Sequence, residues 1–376
     1  MLSSHRLLAC LLSLVCAGTA LLGQGSLTPT AAPVPTQKSI QELWDKVAAL
    51  EAQNLAAQQR LLATQQKLAS LLQGSGYSLP WQTSTVDGVG NMGAHCSLAI
   101  SPTGQPAISY SDYTNDDLKF AQFNGSVWVI TTVDSAGWVG EFTSLAFSPS
   151  GQPAISYSDY TNHDLKFAQF NGSTWAITTV DSAGSVGTYT SLAFSPAGQP
   201  AISYDDETNR CLKFAQFNGS TWDITTVNST GGSKPSLAFS PTGQPAISFL
   251  TYRLEFAQFN GSTWDITTVS SIGFHSVGCS ASLEFSPAGQ PAISYYDETN
   301  RDLMFAQFNG STWKTTTVDS AGDVGAYCTS LAFSSAGLPA ISYYDSTNQD
   351  LKFAQFNGTT WDTATVDSAS NVGIYN

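Results

Sequence analysis

SLAFSPAGQPAISYDDETNRCLKFAQFNGSTWDITTV, running from Ser191 to Val227, is one of six near-copies between Ser97 and Val366. The copies begin near Ser97, Ser144, Ser191, Ser236, Ser282 and Ser330. They are registered by Leu98, Leu145, Leu192, Leu237, Leu283 and Leu331, spaced 47, 47, 45, 46 and 48 residues apart. A period of this length, with several strand-like runs per unit, marks radial or solenoidal repetition. One unit cannot bury both of its faces, so only the ring or stack is a complete structure.

Each unit divides into four runs: SLAFS, PAISYYD, LKFAQF and STWDITTV. The first two are joined by a Pro-Gly turn and the next two by an Asp/Thr/Asn-rich loop. The last two are joined by Asn-Gly, as at Asn124-Gly125, Asn171-Gly172 and Asn357-Gly358. Asn-Gly predicts a two-residue hairpin of the I′ type, in which both central residues take positive φ. Apolar residues on both faces of the runs (Leu118, Phe120 and Phe123; Trp175, Ile177 and Val180) predict strands covered on both sides. The fold class is therefore all-β: a six-bladed β-propeller of four-stranded antiparallel blades. A parallel β-helix, the rival architecture, has shorter coils and no hairpin inside each repeat. Trp81 to Val86 (WQTSTV) matches a fourth strand with no first three before it, while the last copy carries its own, Trp361 to Val366. The count is six complete blades and one surplus strand; a seventh blade would lack three of its strands.

The repeat resembles that of secreted bacterial β-propeller proteins with blades of the type TSLAxxxxGxPxISYYDxTNxDLKxAxxNGxxWxxxTVDSxGxVG. The resemblance covers Trp81 to Asn376, with a dozen or more matching positions in each copy. It implies the propeller and no particular activity. The NGSTW turn is similar to the Asp-box of sialidase-like propellers, with Asn for Asp and a spacing to Gly one residue shorter. That box is a structural device and implies no catalysis.

The residues before the propeller change character three times. Residues 1–23 hold one Arg, one His and then a run of Leu, Ala, Val and Cys. They read as a secretory signal cleaved after Ala20, or as an uncleaved N-terminal anchor. Neither Cys10 nor Cys16 has a lipoprotein context. Residues 24–38 are a Pro/Thr-rich linker. In residues 39–73, Ile40, Val47, Asn54, Leu61 and Leu68 fall at heptad position a, and Leu43, Leu50, Ala57, Thr64 and Leu71 at d. This predicts a coiled-coil helix about 50 Å long, its register set by Asn54 and the protein a homo-oligomer through it. An amphipathic helix packed on the propeller is the alternative.

The chain has 14 Lys+Arg against 28 Asp+Glu. From Trp81 onward there are 9 basic and 25 acidic residues, a net charge of about −16. Nucleic acid and anionic membrane are excluded as partners of such a surface, because phosphate neutralisation needs basic groups. Membrane attachment is then left to an uncleaved N-terminal segment. Sparse Lys and a surface of Ser, Thr, Asn and Gln fit a protein secreted or displayed on the cell surface. Cys96, Cys211, Cys279 and Cys328 follow the signal. A disulfide between Cys96 and Cys328 across the ring seam is one legal pairing, and Cys279 with Cys328 is another. No cofactor is expected. The loop pattern D-x-x-N-x-D (Asp112, Asn115, Asp117 and its counterparts) offers oxygen ligands for weak Ca²⁺ binding; the simpler reading is that Asp and Asn cap the turn.

Loops after the first and third strands hardly vary between copies, whereas those after the second and fourth do. The variable loops share one face, where a ligand would be discriminated. Arg210, Arg253 and Arg301 stand in the second-to-third-strand loops, and His275 and Phe274 in the long connection between blades four and five. A basic notch of this kind would suit a carboxylate or sulfate on a glycan. Trp138 and Glu141, between blades one and two, are the other outliers; an exposed Trp stacks on sugars. The expected function is a non-catalytic, exported binding or adhesion protein recognising a glycan or a protein. A sialidase-like hydrolase or lyase and a structural scaffold are the alternatives. Most acids recur in every blade, as structural residues would, leaving Glu141 and Glu284 as the unrepeated ones to watch.

Overall fold

The computed structural model describes residues 81–271 and 281–374, together with helical backbone at Glu42, Asp45, Lys46, Val47 and Ala49. The leader, the linker and the remainder of the expected coiled coil lie outside the described residues. Trp81 to Asn376 form a unit of their own. Among the described residues no helix is long and apolar enough to cross a membrane.

The six repeats are six four-stranded antiparallel sheets, each paired in chain order. Blade one comprises β1 (Met92–Ile100), β2 (Pro106–Asp112), β3 (Asp117–Phe123) and β4 (Trp128–Asp134). Blade two comprises β5 (Val139–Phe147), β6 (Pro153–Asp159), β7 (Asp164–Phe170) and β8 (Trp175–Asp181). Blade three comprises β9 (Val186–Phe194), β10 (Pro200–Asp206), β11 (Cys211–Phe217) and β12 (Trp222–Asn228). Blade four comprises β13 (Ser233–Phe239), β14 (Pro245–Leu250), β15 (Leu254–Phe259) and β16 (Trp264–Ser270). Blade five comprises β17 (Ser282–Phe285), β18 (Pro291–Asp297), β19 (Asp302–Phe308) and β20 (Trp313–Asp319). Blade six comprises β21 (Val324–Phe333), β22 (Pro339–Asp345), β23 (Asp350–Phe356) and β24 (Trp361–Asp367).

The core lies between blades, because both faces of each sheet are apolar. At the first junction Leu118 and Phe120 of β3 meet Leu145, Ile155 and Tyr157 of the next blade, and equivalent clusters fill the next four junctions. The fourth-strand Trp closes each junction edge-on against the preceding blade's Phe, as in Phe120–Trp175 at 5.1 Å and Phe167–Trp222 at 5.2 Å. Polar bonds repeat the same register. Leu145 N–H donates to Ser97 Oγ at 3.0 Å, and Leu192, Leu237, Leu283 and Leu331 do likewise to the serine of the preceding blade.

Two expectations need correction. The Asn-Gly connection is not a two-residue I′ hairpin, since Phe123 pairs with Trp128 and leaves a loop of four. Only the glycine takes positive φ, 97° at Gly125. The Asn side chain makes the turn instead: Asn124 Oδ1 accepts the N–H groups of Ser126 and Val127, both at 3.0 Å. That bond satisfies two loop amides at once and removes the need for a left-handed Asn. The surplus run Trp81 to Val86 lies in no strand, because no third strand lies beside it to pair with.

Candidate functional site

The first strand of a blade carries a bulge near its start. The β5–β6 register shifts between Val139 and Glu141 and again before Ser144, and β1–β2 and β21–β22 shift at the matching places. A bulge re-aims one side chain out of the pleat. Here the re-aimed residues are His95, Phe142, Tyr189, Lys234 and Tyr327, with φ of 48°, 50°, 51°, 53° and 69°. Bulky residues rarely adopt this backbone region, and where it recurs the surroundings impose it for a purpose. All five line a cavity of about 490 Å³ at the mouth of the central channel, on the variable face.

These side chains form an arc. His95 and Phe142 stand 4.4 Å apart centre to centre, as do Phe142 and Tyr189. Lys234 Nζ sits 5.5 Å over the Tyr189 ring, a cation–π contact. Burial pushes the His95 imidazole below its usual range, which keeps it neutral at physiological pH. A second arc runs outward on the same face. Tyr113 meets Trp138 edge-on at 6.5 Å, Trp138 meets Tyr160 at 4.5 Å, and Tyr160 meets His163 at 5.8 Å. His95 and Tyr113, 6.3 Å apart, join the two arcs. Trp138 and Tyr160 are exposed at 39% and 47%, large for aromatic rings on a folded surface.

Glu141 lies beneath this platform, buried, and accepts a long 3.5 Å hydrogen bond from the Tyr113 hydroxyl. Burial raises its carboxyl, and the Tyr113 bond offsets part of the rise. Trp138 and Glu141, singled out in the sequence, thus come together with aromatic neighbours that were not. The missed signal was the residue three positions before the Leu of SLAF in blades one to four, and four before it in blade six, which changes from copy to copy.

The three arginines are spread one per blade over blades three, four and five, and none lines the channel mouth. Arg210 and Arg301 occupy left-handed turn positions, φ 52° and 63°, where blade one has Asp116 and blade two His163. Arg253 stacks on Tyr252 at 4.9 Å. Among the described residues none of the three makes an ion pair. His275, Phe274 and Cys279 lie outside the described residues. Cys96 and Cys328 both line the channel mouth; burial, then the proximity of Cys328, raises the Cys96 thiol.

The recurrent acids are occupied in holding the fold. Asp112 Oδ1 accepts the N–H groups of Thr114 and Asn115 at 3.0 and 3.1 Å, and Oδ2 accepts Asn115 Nδ2 at 2.8 Å. Burial works to raise this carboxyl, but those bonds and Lys119 outweigh it and hold it below the usual range. Lys166 bridges Asp159 at 2.7 Å and Asp134 at 3.5 Å, and Lys213 bridges Asp206 at 2.7 Å and Asp181 at 3.0 Å. The first Asp of D-x-x-N-x-D is therefore engaged by loop amides and a lysine. Among the described residues no cluster of three His, Cys, Asp or Glu could hold a metal.

Two further acids are unlike their counterparts. Asp205 stands where blades one and two have Ser111 and Ser158, and it is buried with Oδ1 unpartnered among the described residues. Burial lifts its carboxyl well above the usual range, although the Lys234 amide hydrogen-bonds to it. Glu284 replaces the Ala of SLAF at the opposite end of the channel, beside Phe239 and Phe285. Its residue surface is exposed toward the channel, yet the surrounding walls desolvate the carboxyl and push it up to about 7. A cavity of about 730 Å³ between blades four and five on the unvarying face is lined by residues every blade repeats, such as Phe256, Gln258, Asn260 and Trp313.

No protein-family model and no curated protein matches the chain. Among solved structures it is similar to AofleA from Arthrobotrys oligospora, at 17% identity and a TM-score of 0.52, over 78% of this chain and 94% of that one. The fucose-specific lectin from Aleuria aurantia is similar at 16% identity and a TM-score of 0.47, over 78% and 100% of the two chains. A Hadza microbial sialidase is similar at 14% identity and a TM-score of 0.45, over 66% and 63%. The likeness to AofleA, at 17% identity, shows a shared fold and nothing finer.

Proposed function

We propose that the protein is a non-catalytic carbohydrate-binding propeller, exported and displayed through its N-terminal segment. The observation that carries the reading is Trp138, exposed and braced between Tyr113 and Tyr160 with the Glu141 carboxyl beneath. Aromatic faces cover the apolar face of a sugar ring, and Glu141 holds the platform from below through the Tyr113 hydroxyl. The channel-mouth arc of His95, Phe142 and Tyr189 extends the platform to a second saccharide unit. The recurrent acids that end the second and fourth strands, such as Asp159 and Asp181, are taken up by structural bonds, which supports binding without hydrolysis. Export and cell-surface display rest on the leader and linker composition, and oligomerisation on the heptads of residues 39–73.

A neutral-glycan array followed by titration monitored through Trp fluorescence tests the reading. Binding that quenches fluorescence and is weakened about tenfold by Trp138→Ala is the expected result. Binding that survives Trp138→Ala with Tyr160→Ala, or steady glycan cleavage by the wild-type protein, would overturn it.

A further inference from the structure

The junction between blades six and one is built unlike the other five. Leu98 is 64% exposed, whereas its counterparts Leu145, Leu192 and Leu237 are each 6% exposed and Leu283 and Leu331 each 3%. Ile100 beside it is 57% exposed. Among the described residues no core cluster spans this junction, and Leu98 N–H does not donate to Ser330 Oγ as the equivalent leucine does at every other junction. Trp128, which direct closure would place against Phe353, meets only Phe123 among the described ring contacts.

Other residues stand in the vacated places. Trp81 meets Phe353 edge-on at 5.3 Å, the geometry by which a following blade's Trp meets the blade before it. Six residues later, Asp87 Oδ2 accepts the Tyr110 hydroxyl at 2.8 Å. That is how a preceding blade's Asp meets the blade after it, as in Tyr157 to Asp134 at 2.7 Å and Tyr204 to Asp181 at 2.8 Å. The run Trp81 to Asp87 therefore follows blade six and precedes blade one. Val372 N–H donates to Gln349 O at 3.1 Å, as Val324 does to Arg301. Gly373 lies against Leu351 as Gly140 lies against Leu118; a Cβ on either would approach the leucine Cβ to 2.9 Å.

We propose that the seam is a docking slot for a three-stranded sheet of the chain's own repeat sequence, with Trp81 to Asp87 as its outer fourth strand. The occupant is set by complementarity. Blade six presents the face that every first strand packs against, and blade one presents Leu98 and Ile108, which every preceding third strand covers. A sheet reading SLAF, PAISYYD and LKFAQF meets both at once and supplies the pairing partner that Trp81 to Val86 lacks.

The test places a second copy of Val324–Phe356 in place of residues 372–376 of the full chain. Hydrogen exchange at Gln82 to Val86 is expected to slow at least tenfold and the unfolding midpoint to rise, relative to a fusion carrying the same residues in scrambled order. Unchanged exchange in a folded fusion overturns the proposal. Should the fusion not fold, the same three strands are offered to the native chain on a soluble carrier. Binding that is lost on Trp81→Ala supports the slot, and no binding overturns it. A drop in the native chain's oligomeric state on Leu98→Lys would assign the seam to a second copy and equally overturn it.

Discussion

The Tyr157 hydroxyl donates to Asp134 Oδ2 at 2.7 Å, so the second strand of blade two is tied to the last strand of blade one. Tyr204 to Asp181 and Tyr343 to Asp319 repeat the tie around the ring. In each tie a neutral donor meets a carboxylate that a lysine also approaches. Blade four departs from this, since its fourth strand ends in Ser270, and Tyr295 bonds to that hydroxyl instead.

Tyr157→Phe should therefore lower stability by about 1.5–3 kcal/mol, the range for a bond to a charged group. Tyr295→Phe removes a neutral bond and should lower it by about 0.5–1.5 kcal/mol. Denaturant unfolding of the two variants checks the order. An equal loss in both would assign the tie to packing.

Glu284 makes stability depend on pH. Its folded carboxyl is raised to about 7 from an ordinary 4.5, so between those values the folded state binds more protons than the unfolded state. Stability then falls as pH rises through that window. Glu284→Ala restores the residue of the other copies and should flatten the slope, with its largest gain in midpoint above pH 7. Thermal melts at pH 5 and pH 8 on both proteins measure it.

Asp205→Ser, which copies blades one and two, should stabilise the protein at neutral pH by about 1–3 kcal/mol, the penalty of an unsatisfied buried polar group. The check is an unfolding midpoint raised without loss of the variable-face ligand. A lower midpoint would mean that the Lys234 amide bond outweighs the burial.

Cys96 and Cys328 are thiols in the structure; while the seam slot is vacant, oxidation should join them in a disulfide, given that both line the channel mouth and that Cys328 acts on the Cys96 thiol. Peptide mapping without reduction reads the pairing directly, with Cys211 expected as a free thiol. A loop of this length gives the link several kcal/mol in the chain-entropy model. A Cys279–Cys328 peptide would replace this pairing with its alternative.

Trp138→Ala should weaken neutral-glycan binding by about tenfold, roughly 1.4 kcal/mol. The triple change at Arg210, Arg253 and Arg301 should leave it within about twofold, because these cations sit on separate blades away from the channel mouth. Salt should have little effect, in contrast to a site built on exposed charge. A salt-sensitive loss in the triple variant would restore the basic notch.

The blades were legible because turn residues and two-faced apolar runs recur with one period, although first strands such as β5 begin before SLAF, at Val139 and not Ser144 in blade two, because pairing continues through the bulge. The candidate site was half legible. Trp138 and Glu141 stand out as departures from a repeat, and departures are what a single sequence shows well. Phe142, Tyr189 and Lys234 were hidden because their role depends on a bulge, and a bulge is a property of pairing between two strands. The Asn-Gly turn was misread for a related reason: the dipeptide is compatible with two loop lengths, and only cross-strand register, Phe123 on Trp128, separates them. The open seam was invisible since Leu98 reads like the other five leucines, and only a neighbour's absence exposes it.

The bulge has a consequence for how such a protein changes over generations. In five of the blades, among the described residues, one first-strand residue faces the channel mouth in a backbone conformation that His, Phe, Tyr and Lys all occupy, while the apolar register below it stays the same. Recombination among near-identical units can carry that residue from one sector of the ring to another without disturbing the packing around it. Recognition and architecture are thus inherited as separable parts, and a new specificity needs a permutation of existing pieces more than a new mutation.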